Sequence, residues 1–497
     1  MFKKIQKNLL INHPLLWNTK IVPLIIVLIF INIIFFILGY LNGKLNFYET
    51  QNDYDYNINA DTIVFFSVVV SILTTIVWSI FYLKNNSFKS FYPKTNLSLF
   101  KEWMLILLGS FLICSFSISF FFGKDLRVRS YYSETEAKKR CETLSIASLF
   151  LDQGYGNGDF KEVDSLGFQK VVYLNYYTYR GKKYPIHSLL NKNVGTFTFF
   201  DHQSDSLREI RVKDWLVNNQ QDSVKLVFKN FMKMGREHKL KSIIDEKKWF
   251  ELVYNYPDFE QTKQIGSCEK SSFYNYENNQ NTPVDYENQY VRTIGTTQYV
   301  YNKYYVAADE LNFSYNKISQ SWNNPIIDFE YFLVVLYFAF ALSIILFSFR
   351  VTSVRNWLIA LVSTGLIGII VGVISAIFSN EYFFIGSVAT LILILFIYFL
   401  WITYKKIDKK ISGITLNGLL WLFPSFVPVC YVIAMEILKY AYGYYDKSGF
   451  KAYETPEIVK IMKDNVSLMF LANAIFIVLF MLFISIKIKK WKGIPEN

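Results

Sequence analysis

The feature that most constrains this chain is a series of eight apolar runs, each about 20 residues long. An α-helix rises 1.5 Å per residue, so a run of this length crosses the ~30 Å hydrocarbon core of a bilayer. Composition agrees, because 52% of the residues are hydrophobic. The sequence therefore predicts a polytopic α-helical membrane protein with about eight transmembrane helices, at residues 21–41, 62–83, 104–122, 331–349, 357–378, 383–404, 415–438 and 466–486.

The net charge of +12 reports orientation rather than nucleic-acid binding. Alternate short segments between the apolar runs hold 18 basic and 3 acidic residues, whereas residues 124–330 hold 28 basic and 27 acidic residues. Cytoplasmic loops of membrane proteins carry such an excess of Lys and Arg. Both termini are therefore predicted to be cytoplasmic, in a multi-pass protein of the plasma (inner) membrane with residues 124–330 outside. The basic segments are 1–20, 84–102, 350–355, 405–410 and 487–497.

The same pattern divides the chain into five parts. They are a cytoplasmic amphipathic prelude (1–20), a membrane part with three helices (21–123), an extracytoplasmic domain (124–330), a membrane part with five helices (331–486) and a basic cytoplasmic tail (487–497).

The inserted domain has the element pattern of an α+β fold. A capping box at Ser133 to Glu136 predicts a helix start, and the helix carries Ala137, Cys141, Leu144, Ser148 and Leu151 on one face. Further helices are predicted at 222–234 and 245–254, and strands rich in Val, Tyr, Thr and Phe at 168–180, 195–200 and 297–306.

Two of the four cysteines, Cys141 and Cys268, fall in this domain. An extracytoplasmic compartment is oxidising, so the pair is a candidate disulfide. The sequence equally permits two independent thiols, because spacing does not establish that the two Cα atoms are close enough.

No catalytic, cofactor or metal motif accompanies this architecture. The chain lacks a Walker A loop, HExxH and GxSxG, and its four histidines are scattered. We expect no enzyme activity, no cofactor and no metal site, although intramembrane chemistry such as lipid transfer stays open as a minor alternative. The spans have no charge at their centres, which disfavours an ion-coupled transporter.

Small residues and prolines mark two of the spans. Gly365, Gly368, Gly372 and Ala376 form a smooth ridge that suits close helix packing, either within the bundle or against a moving or dimerising partner. Pro424 and Pro428 lie about one turn apart and are expected to kink the seventh span. Glu436 and Lys439 are expected to form an ion pair at its outer end.

The order of these parts resembles the permease subunits of ABC-2-type exporters. The prelude at 1–20, the folded domain at 124–330, the five following spans and an outer helix from Thr455 carry the resemblance, which is one of topology. Two additional spans precede the domain here. The resemblance implies a permease that works with a separate cytoplasmic ATP-binding subunit, as a homodimer or with a related permease, in the lipid bilayer and without nucleic acid.

A second function stays open at this point. The chain also fits a membrane-anchored sensor or assembly factor whose extracytoplasmic domain binds a ligand or a partner protein. Since the longest predicted cytoplasmic segments have about 20 residues, any output of such a sensor would pass through a partner.

Overall fold

A computed structural model gives the fold of this chain. It describes residues 11, 20–48, 60–84, 97–151, 159–163, 169–173, 176–197, 199, 202–260, 265–274, 289–294, 297–377, 381–405, 410–441, 444–445, 451–452 and 457–491.

The described part is mostly helical. Its helices are α1 (Ile21–Asn42), α2 (Ala60–Lys84), α3 (Ser98–Cys114), α4 (Phe116–Arg129), α5 (Glu134–Ser148), α6 (His202–Val217), α7 (Gln221–Glu237), α8 (Glu246–Val253), α9 (Ala308–Asn323), α10 (Phe329–Val351), α11 (Val354–Ile377), α12 (Glu381–Lys405), α13 (Lys410–Leu422), α14 (Phe426–Ala441), α15 (Glu457–Asp464) and α16 (Val466–Trp491). Short 3-10 turns lie at Leu189–Asn191 and Phe423–Ser425.

The strands are short and form only small antiparallel sheets. They are β1 (Asp159–Val163), β2 (Gln169–Tyr173), β3 (Tyr176–Tyr179), β4 (Lys182–Pro185), β5 (Lys270–Tyr274), β6 (Gln289–Ile294), β7 (Thr297–Asn302), β8 (Tyr444–Tyr445) and β9 (Lys451–Ala452). Three hairpins pair β1 with β2, β3 with β4 and β8 with β9, and β7 lies between β5 and β6 in a three-stranded sheet.

Seven helical segments in the described part are long and apolar enough to cross a membrane. They are α1, α2, α10, α11, α12, the α13–α14 pair and α16. An eighth is added if α3 and α4, which meet at a 51° bend, form one span. The predicted multi-pass membrane protein is thus confirmed, but the third predicted span (104–122) is broken at Ser115 rather than continuous.

The chain separates into two compact units. The first comprises residues 1–38, 58–122 and 327–497, and therefore holds the apolar helices. One of its cores joins α10, α12, α13 and α16 around Phe347, Phe399 and Met481. A second core joins α1, α2 and the start of α4 around Leu28, Trp78 and Phe116.

The second unit comprises residues 39–57 and 123–326. Ser133 caps α5, because its side chain accepts a hydrogen bond from the Glu136 amide, as the capping box predicts. The face of α5 predicted to be apolar is buried, and it packs against α7 and α9 around Phe228 and Tyr315. Asp245 caps α8 in the same way, through the Lys248 amide at 2.8 Å.

Two details of this unit differ from the sequence-based expectation. Residues 195–197 are not a strand: the Gly195 amide donates to the Ser145 carbonyl (3.2 Å) and to Ser148 Oγ (2.8 Å), so its bonds go to helix α5. The unit also includes residues 39–57, outside the predicted 124–330 domain. That segment belongs here because Leu45 and Phe47 are buried in the core of this unit.

Candidate functional site

The bend between α3 and α4 exposes backbone carbonyls that a continuous helix would pair internally. Two polar side chains from other helices fill this need. Asn32 of α1 donates to the Leu112 carbonyl at 3.2 Å, and Ser71 of α2 donates to the Ile113 carbonyl at 2.8 Å. Ser119 in turn donates to Asn32 Oδ1 at 2.6 Å. Hydrocarbon offers no hydrogen-bond donors, so a broken apolar helix persists only where neighbours satisfy its backbone in this way.

The second break lies between α13 and α14, at the predicted kink. Pro424 sits in the 3-10 turn, and Pro428 lies in the first turn of α14. Because Pro428 has no N–H, the Pro424 carbonyl lacks its usual donor four residues later. Asn473 of α16, which is fully buried, supplies the missing bond from Nδ2 at 2.9 Å. The α-helix is thus interrupted by a 3-10 turn at Pro424, and Asn473 supplies a backbone bond there, while a kink at the two prolines stays a prediction.

The same asparagine connects the break to a third helix. Asn473 Nδ2 also donates to the Tyr337 hydroxyl of α10 at 2.6 Å, and that hydroxyl donates to the Phe470 carbonyl at 2.9 Å. One amide group thus ties together α10, α16 and the turn between α13 and α14. Each of the two breaks is braced by one asparagine from a different helix.

A buried ion pair joins α3 to α10. Arg350 Nε lies 3.0 Å from Glu102 Oε1, and their side chains are 11% and 4% exposed. In the same pair of helices, Trp103 Nε1 donates to Ser343 Oγ at 3.2 Å. The sequence placed both charged residues in separate basic segments and did not indicate that they would pair.

Further polar bonds tie α10 to α11 and α13 near the Arg350 end of α10. Ser348 Oγ accepts from the indole nitrogens of Trp357 (3.1 Å) and Trp421 (3.0 Å). Thr352 Oγ1 exchanges hydrogen bonds with the side chain of the fully buried Asn417 at 3.1–3.2 Å. These contacts fix one end of the bundle.

The predicted glycine ridge makes no close contact within the described part of the chain. A Cβ added at Gly365, Gly368 or Gly372 would meet no atom within 4 Å, and Ala376 is exposed. Close approach occurs instead at Gly109, where a Cβ would lie 2.9 Å from Ile21 Cδ1. Packing of the ridge within the bundle is thus not observed, and the alternative of an external partner stays a prediction.

All four cysteines are free thiols. Cys141 is buried on α5 and contacts the Tyr315 carbonyl at 3.8 Å, whereas Cys268 donates to the Lys270 carbonyl at 2.7 Å. The candidate disulfide between them is therefore not formed in this structure. Burial raises the pKa of both thiols to about 12.

The second unit contains an aromatic and charged cluster around His238. The imidazole stacks on Phe47 with ring centroids 3.6 Å apart, and Nε2 lies 3.1 Å from the Tyr132 hydroxyl and 3.3 Å from the Tyr315 hydroxyl. Burial and the nearby Arg140 lower the pKa of His238, against a smaller raising effect of Glu237. The neutral imidazole is thereby favoured, which suits a packing role.

Two smaller expectations concern the ends of helices α14 and α15. Glu436 and Lys439 form the predicted ion pair, with 3.7 Å between Oε2 and Nζ. Helix α15 begins at Glu457, whereas Thr455 and Pro456, the predicted cap, lie outside the described residues. In the part of the chain that the structure describes, no group of three or more His, Cys, Asp or Glu side chains could hold a metal ion.

Among the described residues of the first unit, the polar contacts given above lie at helix breaks and helix–helix contacts. The sequence analysis identified Pro424 and Pro428 but missed Asn32 and Asn473. The feature that could have indicated them is a polar amide side chain within an otherwise apolar run. Comparison with known proteins finds no match to this chain among protein families, curated proteins or solved structures.

Proposed function

We propose that this chain is the membrane-embedded, permease-type subunit of an ATP-driven export system whose ATPase is a separate protein. In this proposal the helices of the first unit form the translocating bundle, and the second unit is an extracytoplasmic domain. The basic cytoplasmic segments 1–20 and 84–102 are the proposed contact with the ATPase.

The observation that best supports transport is the pair of braced helix breaks. A broken helix changes direction at few backbone positions, so it serves as a hinge when its bracing bonds exchange. The bonds from Asn32 to Leu112 and from Asn473 to Pro424 are side-chain contacts that such a motion would release, although the Leu112 carbonyl also accepts from Ser115 Oγ at 3.1 Å. Each break interrupts the backbone hydrogen bonds of a membrane helix, and anchoring an outer domain does not require such breaks.

The open glycine ridge of α11 supports a partner in the membrane. Only 6% of the most apolar 18-residue stretch of α11 is buried within the chain. The corresponding share for α12 is 11%. Glycine costs about 1 kcal/mol in a helix, and small residues in membrane helices commonly mark close helix–helix contact. A second permease copy or a related subunit is therefore the proposed neighbour of this face.

Affinity purification from native membranes in a mild detergent tests the proposal. We expect an ATP-binding subunit to co-purify, and its recovery to fall when Lys89 and Lys94 of segment 84–102 are both replaced by alanine. The matched control is the double replacement of Lys460 and Lys463 in α15, which should leave recovery unchanged. Absence of any ATPase from the purified wild-type complex would refute the function.

The alternative is a membrane-anchored sensor or assembly factor. It is favoured by the second unit, which has a hydrophobic core of its own around Phe228, Trp249 and Tyr315. Binding of a ligand or partner protein by this unit in the full-length protein, together with no ATPase in the purification, would favour the alternative.

A further inference from the structure

A groove in the first unit opens between helices α10 and α16. Its volume is about 570 Å³, within the ~300–1,000 Å³ of small-molecule sites. The lining is apolar except at one end, and it consists of Leu333, Val334, Tyr337, Phe338 and Ala341 on α10 with Val466 and Phe470 on α16. Val334 and Phe338 are 50% and 66% exposed, so the groove is open along its side.

The polar end of the groove is a single carboxylate. Glu330 lies in the first turn of α10, and its Oε1 accepts a hydrogen bond from Ser467 Oγ at 3.3 Å. Among the residues that the structure describes, no lysine or arginine forms an ion pair with Glu330. Asp328, which caps α10, adds a second negative charge two residues away. The mouth therefore favours a cation with hydrogen-bond donors.

The length of the groove matches one leaflet of a bilayer. Glu330 and Ala341 are eleven residues apart, which is about 16 Å along a helix and about half of a ~30 Å hydrocarbon core. A groove with a charged end at the helix terminus and an apolar remainder suits a lipid chain that lies parallel to α10. The open side suits entry from the bilayer rather than from water.

We infer that this groove binds an aminophospholipid. One acyl chain lies against Tyr337, Phe338 and Phe470, and the primary ammonium of the headgroup donates to Glu330. A quaternary ammonium carries the same charge without an N–H donor, and a glycerol headgroup has no positive charge, so both should bind less well. This inference concerns binding alone and does not depend on transport.

Native mass spectrometry of the full-length protein in a mild detergent tests the inference. The probes are dioleoyl phosphatidylethanolamine, phosphatidylcholine and phosphatidylglycerol. We expect the wild type to bind the ethanolamine lipid about tenfold more tightly than the other two, the effect of one charge-assisted hydrogen bond. Glu330→Gln should remove this preference, whereas Glu457→Gln, in the first turn of α15, should retain it.

A second variant tests the position of the acyl chain. Ala341→Phe fills the inner end of the groove, so it should shift the preference from dioleoyl to dilauroyl phosphatidylethanolamine, which a general loss of stability would not do. Equal binding of the ethanolamine and choline lipids by the wild type would overturn the inference without any variant. An ethanolamine preference that persists in Glu330→Gln would also overturn it.

Discussion

Replacing Glu102 by glutamine should strongly destabilise the bundle. The carboxylate lies 3.0 Å from Arg350 Nε, and both side chains are nearly inaccessible to solvent. At that distance two unit charges attract by about 5.5 kcal/mol with an effective dielectric constant of 20. Glutamine keeps the shape but removes the negative charge that lies against the buried Arg350 guanidinium. Breaking a buried pair in this way costs about 3–5 kcal/mol.

A double-mutant cycle separates this effect from a general loss of packing. Glu102→Gln, Arg350→Met and the double variant would be compared by thermal and denaturant unfolding of the detergent-solubilised protein. The double variant removes both charges, so we expect it to be more stable than Glu102→Gln alone by at least about 2 kcal/mol. If the two single effects simply add, or if Glu102→Gln costs less than about 0.5 kcal/mol, the two charges do not stabilise each other as described.

Three further perturbations follow from the described contacts. Asn473→Leu leaves the Pro424 carbonyl without the Asn473 donor, so the free energy of unfolding should fall by about 1–3 kcal/mol. An unchanged denaturation midpoint would contradict the bracing role. Cys141 and Cys268 should resist iodoacetamide until the protein unfolds, because their raised pKa keeps both thiols protonated at neutral pH; rapid labelling of the native protein, followed by mass spectrometry, would contradict this. The pKa of His238 is lower in the folded protein than the usual 6.5, so between these two pH values the unfolded chain binds more protons than the folded protein. The free energy of unfolding should therefore fall as the pH decreases through that window. His238→Asn should flatten this decrease in a pH series of melting curves.

The membrane helices could be predicted because their signal is long and local. Eight apolar runs of about 20 residues indicate where the helices lie, and most helix ends fall within a few residues of the predicted ones. The seventh run is interrupted at Phe423–Ser425, and the third extends from Ser98 to Arg129 with a break at Ser115. That break depends on Asn32 and Ser71, which come from two other helices and are distant in sequence. No pattern around Ser115 itself distinguishes a braced bend from a continuous helix.

Helix packing could be predicted less well, because small residues are necessary for close contact but do not select a partner. Gly368 and Gly372 form the clearest ridge in the sequence and face open space, whereas the isolated Gly109 and Gly413 make close approaches. Likewise, Glu102 was counted within a basic loop, and its partner Arg350 lies 248 residues away. Contacts of this kind follow from the fold and cannot be obtained from spacing along one helix.

The burial of Leu45 and Phe47 in the second unit has a consequence for synthesis of the protein. Phe47 packs against His238 and Tyr315, which leave the ribosome about 190 to 270 residues later. At ~5–20 residues per second, Phe47 waits on the order of 10 to 50 s for these partners. During that interval Leu45 and Phe47, between α1 and α2, remain exposed on the nascent chain. Membrane insertion of α1 and α2 must therefore be well advanced before the second unit can complete its core.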